Sequence, residues 1–445
     1  MSMAISRRQA LQAAAGAAAL PLVHIRSAGA AGRLSIGLWD HWVPAGNAAM
    51  KKLIDSWAQK NKVEVSVDFI TSVGNKLQLT YAAEAQARTG HDAIAFFVWD
   101  VHNYQQALTP VDDVVEPLIK QYGALNPVNE YLSKIGGHWM AVPTSSGTQY
   151  KPSCARIGFF RQAGFDVQEA YPVKPEHTAM SDTWTWQKLL ELAPQAKKAN
   201  LPFALGLGQT TDSVDFVGAL FRSFGAELVN GEGEITVDSD NVKAVLEYMA
   251  RLAPHLPPDV YSYDDASNNR ALISGKSSLI FNPPSAWAVA VRDNRAVGAD
   301  SWTFPNPTGP TGRFVPYLPF FWGIWQFSKN QSAAKELLSW LCQREQVESL
   351  CNAVEGYDIP PFLSMSDFGI WSKVQPPLGT VYNYPIRPWH KSTPSIAAYP
   401  APPEIAVQIY NRATMTTMIG KLTQGGQSMK EVIAWAKDEL EGFTR

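Results

Sequence analysis

The sequence predicts an α/β protein in two domains, each a sheet flanked by helices. Three observations carry that prediction. Segments of strand period and helix period alternate from residue 34 onward. About 415 residues remain once an N-terminal export segment is set aside, more than one compact domain of roughly 100 to 200 usually takes. A proline- and glycine-dominated tract from Pro305 to Pro319 then reads as a crossing between the two halves rather than a disordered linker.

The first element is a targeting segment. Ser6-Arg7-Arg8-Gln9-Ala10-Leu11, an alanine-rich run to Val23 and the small-residue end Ala28-Gly29-Ala30 give residues 1–30 the layout of a twin-arginine export signal. Ala10 departs from the large apolar residue that pattern prefers. The run is also shorter than the roughly 20 residues of a membrane span. The mature chain is therefore expected outside the cytoplasm, in the periplasm.

Leu34 to Leu38 follows as a strand, residues 48 to 60 as an amphipathic helix, and Val63 to Phe69 as an alternating strand. A helix from Lys76 to Arg88 stops at Gly90, and Ala93 to Val98 is a buried strand. Right-handed crossovers make these three strands parallel. The loops Trp39-Asp40-His41-Trp42 and Trp99-Asp100-Val101-His102 then open on the carboxyl edge of the sheet, where ligands bind in open α/β folds.

The second half reads as a helix over 184–199 capped by Thr183 or Thr185, a strand at Phe203 to Leu207, a loop over 208–212 and a helix from Val214 to Phe224. Asp238-Ser239-Asp240-Asn241 lacks the rest of a calcium loop and is assigned to helix capping. Ser278 to Phe281 is a strand leading to Trp287. Residues 321 to 327 are strand-like, Ala333 to Gln343 is a helix, and helices from Glu404 to Met418 and Met429 to Leu440 end the order.

The formal net charge is −2, and residues 1–30 hold three arginines and no acid, which leaves −5 on the remainder. A mildly acidic chain with no basic stripe argues against nucleic acid as the main partner. Cys154, Cys342 and Cys351 form no metal box and no C-x-x-C, so buried free thiols are expected. The chain has no G-x-S-x-G elbow, H-E-x-x-H, Walker loop or G-x-G-x-x-G. His41 and His102 with Asp40 and Asp100 have no defined metal spacing and are assigned to polar lining. No catalytic residue, metal or cofactor is expected.

Tryptophan is the feature that stands out, with 15 in the chain. Trp57, Trp340 and Trp435 fall on apolar helix faces. Trp39, Trp42, Trp99, Trp287, Trp322 and Trp389 fall in loops or at strand ends, where a large ring facing water needs a reason. Flat aromatic faces stack on the C–H faces of sugars, while neighbouring polar groups satisfy the hydroxyls. Asp40, His41, Asp100, Gln209 and Asp212 would supply those groups, with Phe321 beside Trp322; Arg387 and Trp389 flank prolines as a second tier.

Several segments resemble the extracellular solute-binding proteins of bacterial ABC transporters, in the carbohydrate-binding family related to maltose-binding protein. They are Ile54 to Asn61, Lys76-Leu77-Gln78 to Gly90-His91-Asp92, Leu108 to Asp113, Trp139-Met140-Ala141-Val142-Pro143 with Gly147-Thr148, Phe160 to Phe165, Thr185 to Leu190, Ile273 to Ser277 and Ala333 to Leu338. Arg156-Ile157-Gly158-Phe159 and Asn282-Pro283-Pro284-Ser285-Ala286-Trp287 depart from the family's Tyr-Tyr-Asn and Asn-Gly-Pro-Trp. The resemblance implies the type II two-lobed periplasmic-binding fold. The first lobe would hold residues 31–145 and 301–330, the second 146–300 and 331–445, with crossings near 143–148, 297–302 and 328–333. It further implies a monomeric receptor that captures a neutral sugar, oligosaccharide or polyol in the interlobe cleft and passes it to a membrane permease. An exported glycan hydrolase is the alternative; convergent carboxylates would instead favour a non-sugar solute such as a polyamine or peptide.

Overall fold

The structure is a computed structural model that describes residues 32–172, 177–282, 285–373 and 392–443. The export segment, Arg387 and Trp389 lie outside the described residues.

Strands β1 (Arg33–Trp39), β2 (Glu64–Ile70) and β3 (Ala93–Phe97) are joined by helices Ala45–Asn61 and Lys76–Ala87. β1 lies between β2 and β3 and is parallel to both, as expected for strands joined through helices. The composition of each strand follows its place. β3, with the sequence AIAFF, is buried along its whole length, the continuous apolar run of an interior parallel strand. β2 lies at the edge and alternates exposed and half-buried residues.

The first sheet continues with β4 (Val142–Tyr150), the 13-residue β8 (Gly312–Ile324) and β9 (Ser392–Ser395), and the two-residue strand Thr308–Gly309 pairs with β8 to complete it. β8 runs antiparallel to β3 and β4 and parallel to β9. The proline-rich tract therefore enters the sheet instead of only crossing between halves. Pro319 sits where the β4–β8 register shifts between Leu318 and Phe320, so its missing N–H falls at a break in the ladder.

The second sheet places β5 (Ser153–Arg156) between β6 (Leu279–Phe281) and β7 (Ser301–Phe304), all antiparallel. Helices Trp186–Lys198, Thr211–Ser223 and Asp240–Leu252 belong to this half of the chain, and each begins at a hydroxyl cap. Thr185, Thr210 and Ser239 accept from the amides of Lys188, Ser213 and Val242, which makes Ser239 a cap rather than a metal ligand.

Three elements differ from the sequence reading. Phe203–Leu207 is extended but not a strand: the Ala204 amide reaches Leu279 O, while the Leu207 amide turns away to Val260 O, so no ladder forms. The helix expected over 404–418 is two, Pro403–Asn411 and Thr414–Thr423, parted at Ala413 with φ 51°. Helices Gln331–Leu341 and Arg344–Ala353, placed by the sequence reading in the second lobe, pack on helices Ala45–Asn61 and Asp112–Tyr122 of the first.

All three cysteines are free and buried. Burial pushes the thiols of Cys154 and Cys342 up to about 12. Cys351 is raised by burial and by the nearby charge of Asp358. No described helix is long and apolar enough to cross a membrane.

Candidate functional site

The carboxyl ends of β1, β2 and β3 meet a cavity with about 400 Å³ of empty space, open solvent included, between the two sheets' layers. Trp39 at the end of β1, Ser72 just after β2 and Phe97 at the end of β3 line it from below, as the carboxyl-edge rule predicts. Trp42, Gln149 on β4, and Leu318 and Phe320 on β8 complete that wall. From the opposite side come Thr211 and Asp212 at a helix start, Asp265, and Asn282 just after β6.

The aromatic wall is rigid because its rings hold one another. Trp39 lies 5.0 Å from Phe320 and 6.1 Å edge-on from Trp42, and Phe97 meets Phe320 edge-on at 4.8 Å. The Trp39 indole N–H donates to Ser72 Oγ at 3.2 Å. Beneath Phe320 is Gly147, with φ +86°; a Cβ there would come within 2.9 Å of the ring, so only glycine allows both the backbone and the packing. The Gly147 amide donates to Asp358 Oδ1, which also takes His41 Nε2 at 2.9 Å. His41 Nδ1 accepts from the Val43 amide, so the proton resides on Nε2. His41 thus braces the wall from behind and is not part of the cavity lining.

The polar side is built on a buried lysine. Lys151, 1 % exposed, bridges Asp212 Oδ1 at 2.6 Å and Asp215 Oδ2 at 2.7 Å. Burial lowers its ammonium pKa, but the two carboxylates outweigh that and raise it. Asp215 is raised by burial despite Lys151 and a 2.9 Å bond from Tyr410 Oη. Asp212 Oδ2 receives Nδ2 of Asn268 and of Asn282, at 2.8 and 2.9 Å. Asp265 accepts from Thr211 Oγ1 at 3.0 Å and from the Asp212 amide. Burial, then the Asp212 charge, push its carboxyl up to about 6.

Of the residues singled out from the sequence, the structure brings Trp39, Trp42 and Asp212 to the cavity. Trp99 is fully buried against Tyr131 and His102. Trp287 is buried on a helix, and Phe321 and Trp322 are buried in β8 between two strands. These four do not face water, a correction to placing them in loops or at exposed strand ends. Asp40 holds Asn47 at 2.6 Å, and Asp100 is engaged by Tyr81 and Asn103, with burial pushing its carboxyl up to about 6. Gln209 is exposed in the loop before Thr210. None of these three lines the cavity.

Sequence reasoning missed Ser72, Phe97, Gln149, Asp265, Asn282 and Phe320. The carboxyl-edge rule, applied to β2 as it was to β1 and β3, points to Ser72. Asp265 carries no local signal, since it reaches the cavity only through a loop from a distant part of the chain.

The architecture matches solved structures along nearly its whole length. The maltose-bound MalE3 of T. maritima shares 17 % identity at a TM-score of 0.74, over 92 % of this chain and 99 % of that one. A sugar transporter from Arthrobacter chlorophenolicus A6 with bound laminaribiose shares 17 % at 0.72, over 92 % and 99 %. An ABC transporter solute-binding protein from Thermotoga lettingae TMO bound with α-D-tagatose shares 15 % at 0.72, over 93 % and 100 %. At such identities the likeness establishes the two-lobed fold. A search of curated protein sequences gives no match. The sequence model for "bacterial extracellular solute-binding protein" matches residues 52–377, most of the chain, and the chain therefore belongs to that family.

Proposed function

We propose that the protein is the substrate-binding component of an ABC importer, capturing a carbohydrate or polyol in the cavity between its lobes and delivering it to a membrane permease. The observation that carries this reading is the pairing of an aromatic wall with a polar one across a single cavity at the carboxyl edge of the sheet. Trp42 is half-buried and lines the cavity, the arrangement that lets an indole stack on a sugar ring. The family and the structural relatives are binding proteins, which favours a receptor over the glycan hydrolase.

On this reading residues 1–30 direct export and are removed, and the mature protein acts as a periplasmic monomer. The chain would pass between the lobes at Lys151-Pro152, between β4 and β5, and again after β7. Closure about those crossings would exclude water and strengthen the polar contacts.

A thermal-shift screen against sugars and polyols tests the receptor reading. A true ligand at about 100 times its dissociation constant adds near 2.7 kcal/mol. Stabilisation without turnover supports the receptor, and product formation overturns it in favour of the hydrolase. With a hit in hand, Trp42→Ala is expected to weaken binding about tenfold or more in titration calorimetry while leaving the melting transition cooperative. Unchanged affinity would remove Trp42 from the site.

A further inference from the structure

The cavity's charge is unbalanced. Asp212, Asp215 and Asp265 gather around Lys151, and among the described residues no lysine, arginine or histidine lines the cavity itself. The start of helix Thr211–Ser223 adds about half a positive charge beside Asp212 and Asp265. That falls short of the two negative charges left over when all three aspartates are ionised.

Two acceptors stand open on the cavity's opposite walls. Both Asp212 oxygens are engaged, Oδ1 by Lys151 and Oδ2 by Asn268 and Asn282. Asp265 receives its two protein donors on Oδ1 alone, which leaves Oδ2 available. Independently, Gln149 is 5 % exposed, lines the cavity from the aromatic side, and has an Oε1 with no partner among the described residues. A buried carbonyl oxygen left without a donor carries an uncompensated desolvation penalty, so a ligand donor here would be rewarded. Both open positions are acceptors, on opposite walls, beside the Trp42 indole.

We propose that the captured solute carries a protonated amine, as an amino sugar or amino polyol, seated between Asp265 and the Gln149 carbonyl oxygen against the Trp42 ring. An ammonium offers a donor to each of these two acceptors. It supplies the missing positive charge, and an indole face attracts cations. The assignment rests on the receptor reading above and narrows its ligand.

The test is titration calorimetry of the mature protein at pH 7.5 with matched probes: glucosamine against glucose and N-acetylglucosamine, the glucosamine dimer against cellobiose, and the diamines putrescine and spermidine. The amino sugars are expected to bind about tenfold or more tighter than their counterparts, the scale by which a charge-assisted hydrogen bond exceeds a neutral one. Asp265→Asn should erase that preference, read as the ratio of amino-sugar to neutral-sugar affinity within the same variant. Gln149→Met, which removes the acceptor and keeps the length, should reduce the preference in a background that retains Asp265. In the wild type the preference should also fade below about pH 6, as Asp265 takes a proton in the field of Asp212, Asp215, Lys151 and Tyr410.

Neutral sugars that bind as tightly as amino sugars overturn the ammonium assignment and leave the carbohydrate receptor standing. Diamine binding with no response to any sugar does the reverse, keeping the ammonium and removing the carbohydrate. No response to any probe overturns both.

Discussion

Lys151→Met is expected to cost about 3–5 kcal/mol of folding stability at neutral pH, the range for removing one partner of a buried ion pair. The size follows from what remains. Asp212 and Asp215 would keep their burial but lose the only cation that reaches them among the described residues. Asn268, Asn282 and Tyr410 would still donate, but neutral donors do not offset two buried charges.

The pH dependence has a definite sign. Asp215 already has a folded pKa above that of a free carboxyl because it is buried, and loss of Lys151 raises it further. A group raised in this way destabilises the fold above its folded pKa and ceases to do so once it is protonated in both states. The gap between wild type and variant should therefore narrow as pH falls from 7 toward about 4. Urea unfolding at pH 7 and pH 5 reads this directly; a gap that widens on acidification refutes the account.

Trp287→Ala is the second large effect, and it falls on stability. Trp287 is 2 % exposed within the main apolar core, so truncation leaves a cavity worth about 3–5 kcal/mol. Guanidine unfolding should show that loss. Trp42→Ala, by contrast, should change ligand affinity with a small effect on folding, because Trp42 is only half-buried at the cavity wall. Equal stability losses in the two variants would mean that the distinction between a wall residue and a core residue is misplaced.

That pair shows where the sequence is legible and where it stops. The βαβαβ unit could be read residue by residue, because β2 alternates, β3 is apolar throughout, and each connecting helix carries its own period and stop signal. Trp39 and Trp42 were found because parallel strands fix which edge their loops occupy. Trp287 lies on a helix where the sequence reads as a loop, and Trp322 lies inside a strand that begins nine residues before the one read from the sequence; a tryptophan has the same composition signal in each setting. Gln149 and Asp265 come together only through the pairing of β4 with β8 and the packing of distant loops. No local pattern records such contacts, so the polar wall had to be seen.

The three buried thiols give the molecule a stopwatch in each half. Cys154 lies in β5 of the second sheet, whereas Cys342 and Cys351 belong to the helical layer that covers the first. Their thiols are inert to alkylation while enclosed, since burial holds them in the protonated form. Each becomes reactive only during an opening of its own surroundings. The rates at which iodoacetamide tags the separate cysteines, followed by peptide mass, therefore time the breathing of the two lobes independently and without any engineered label.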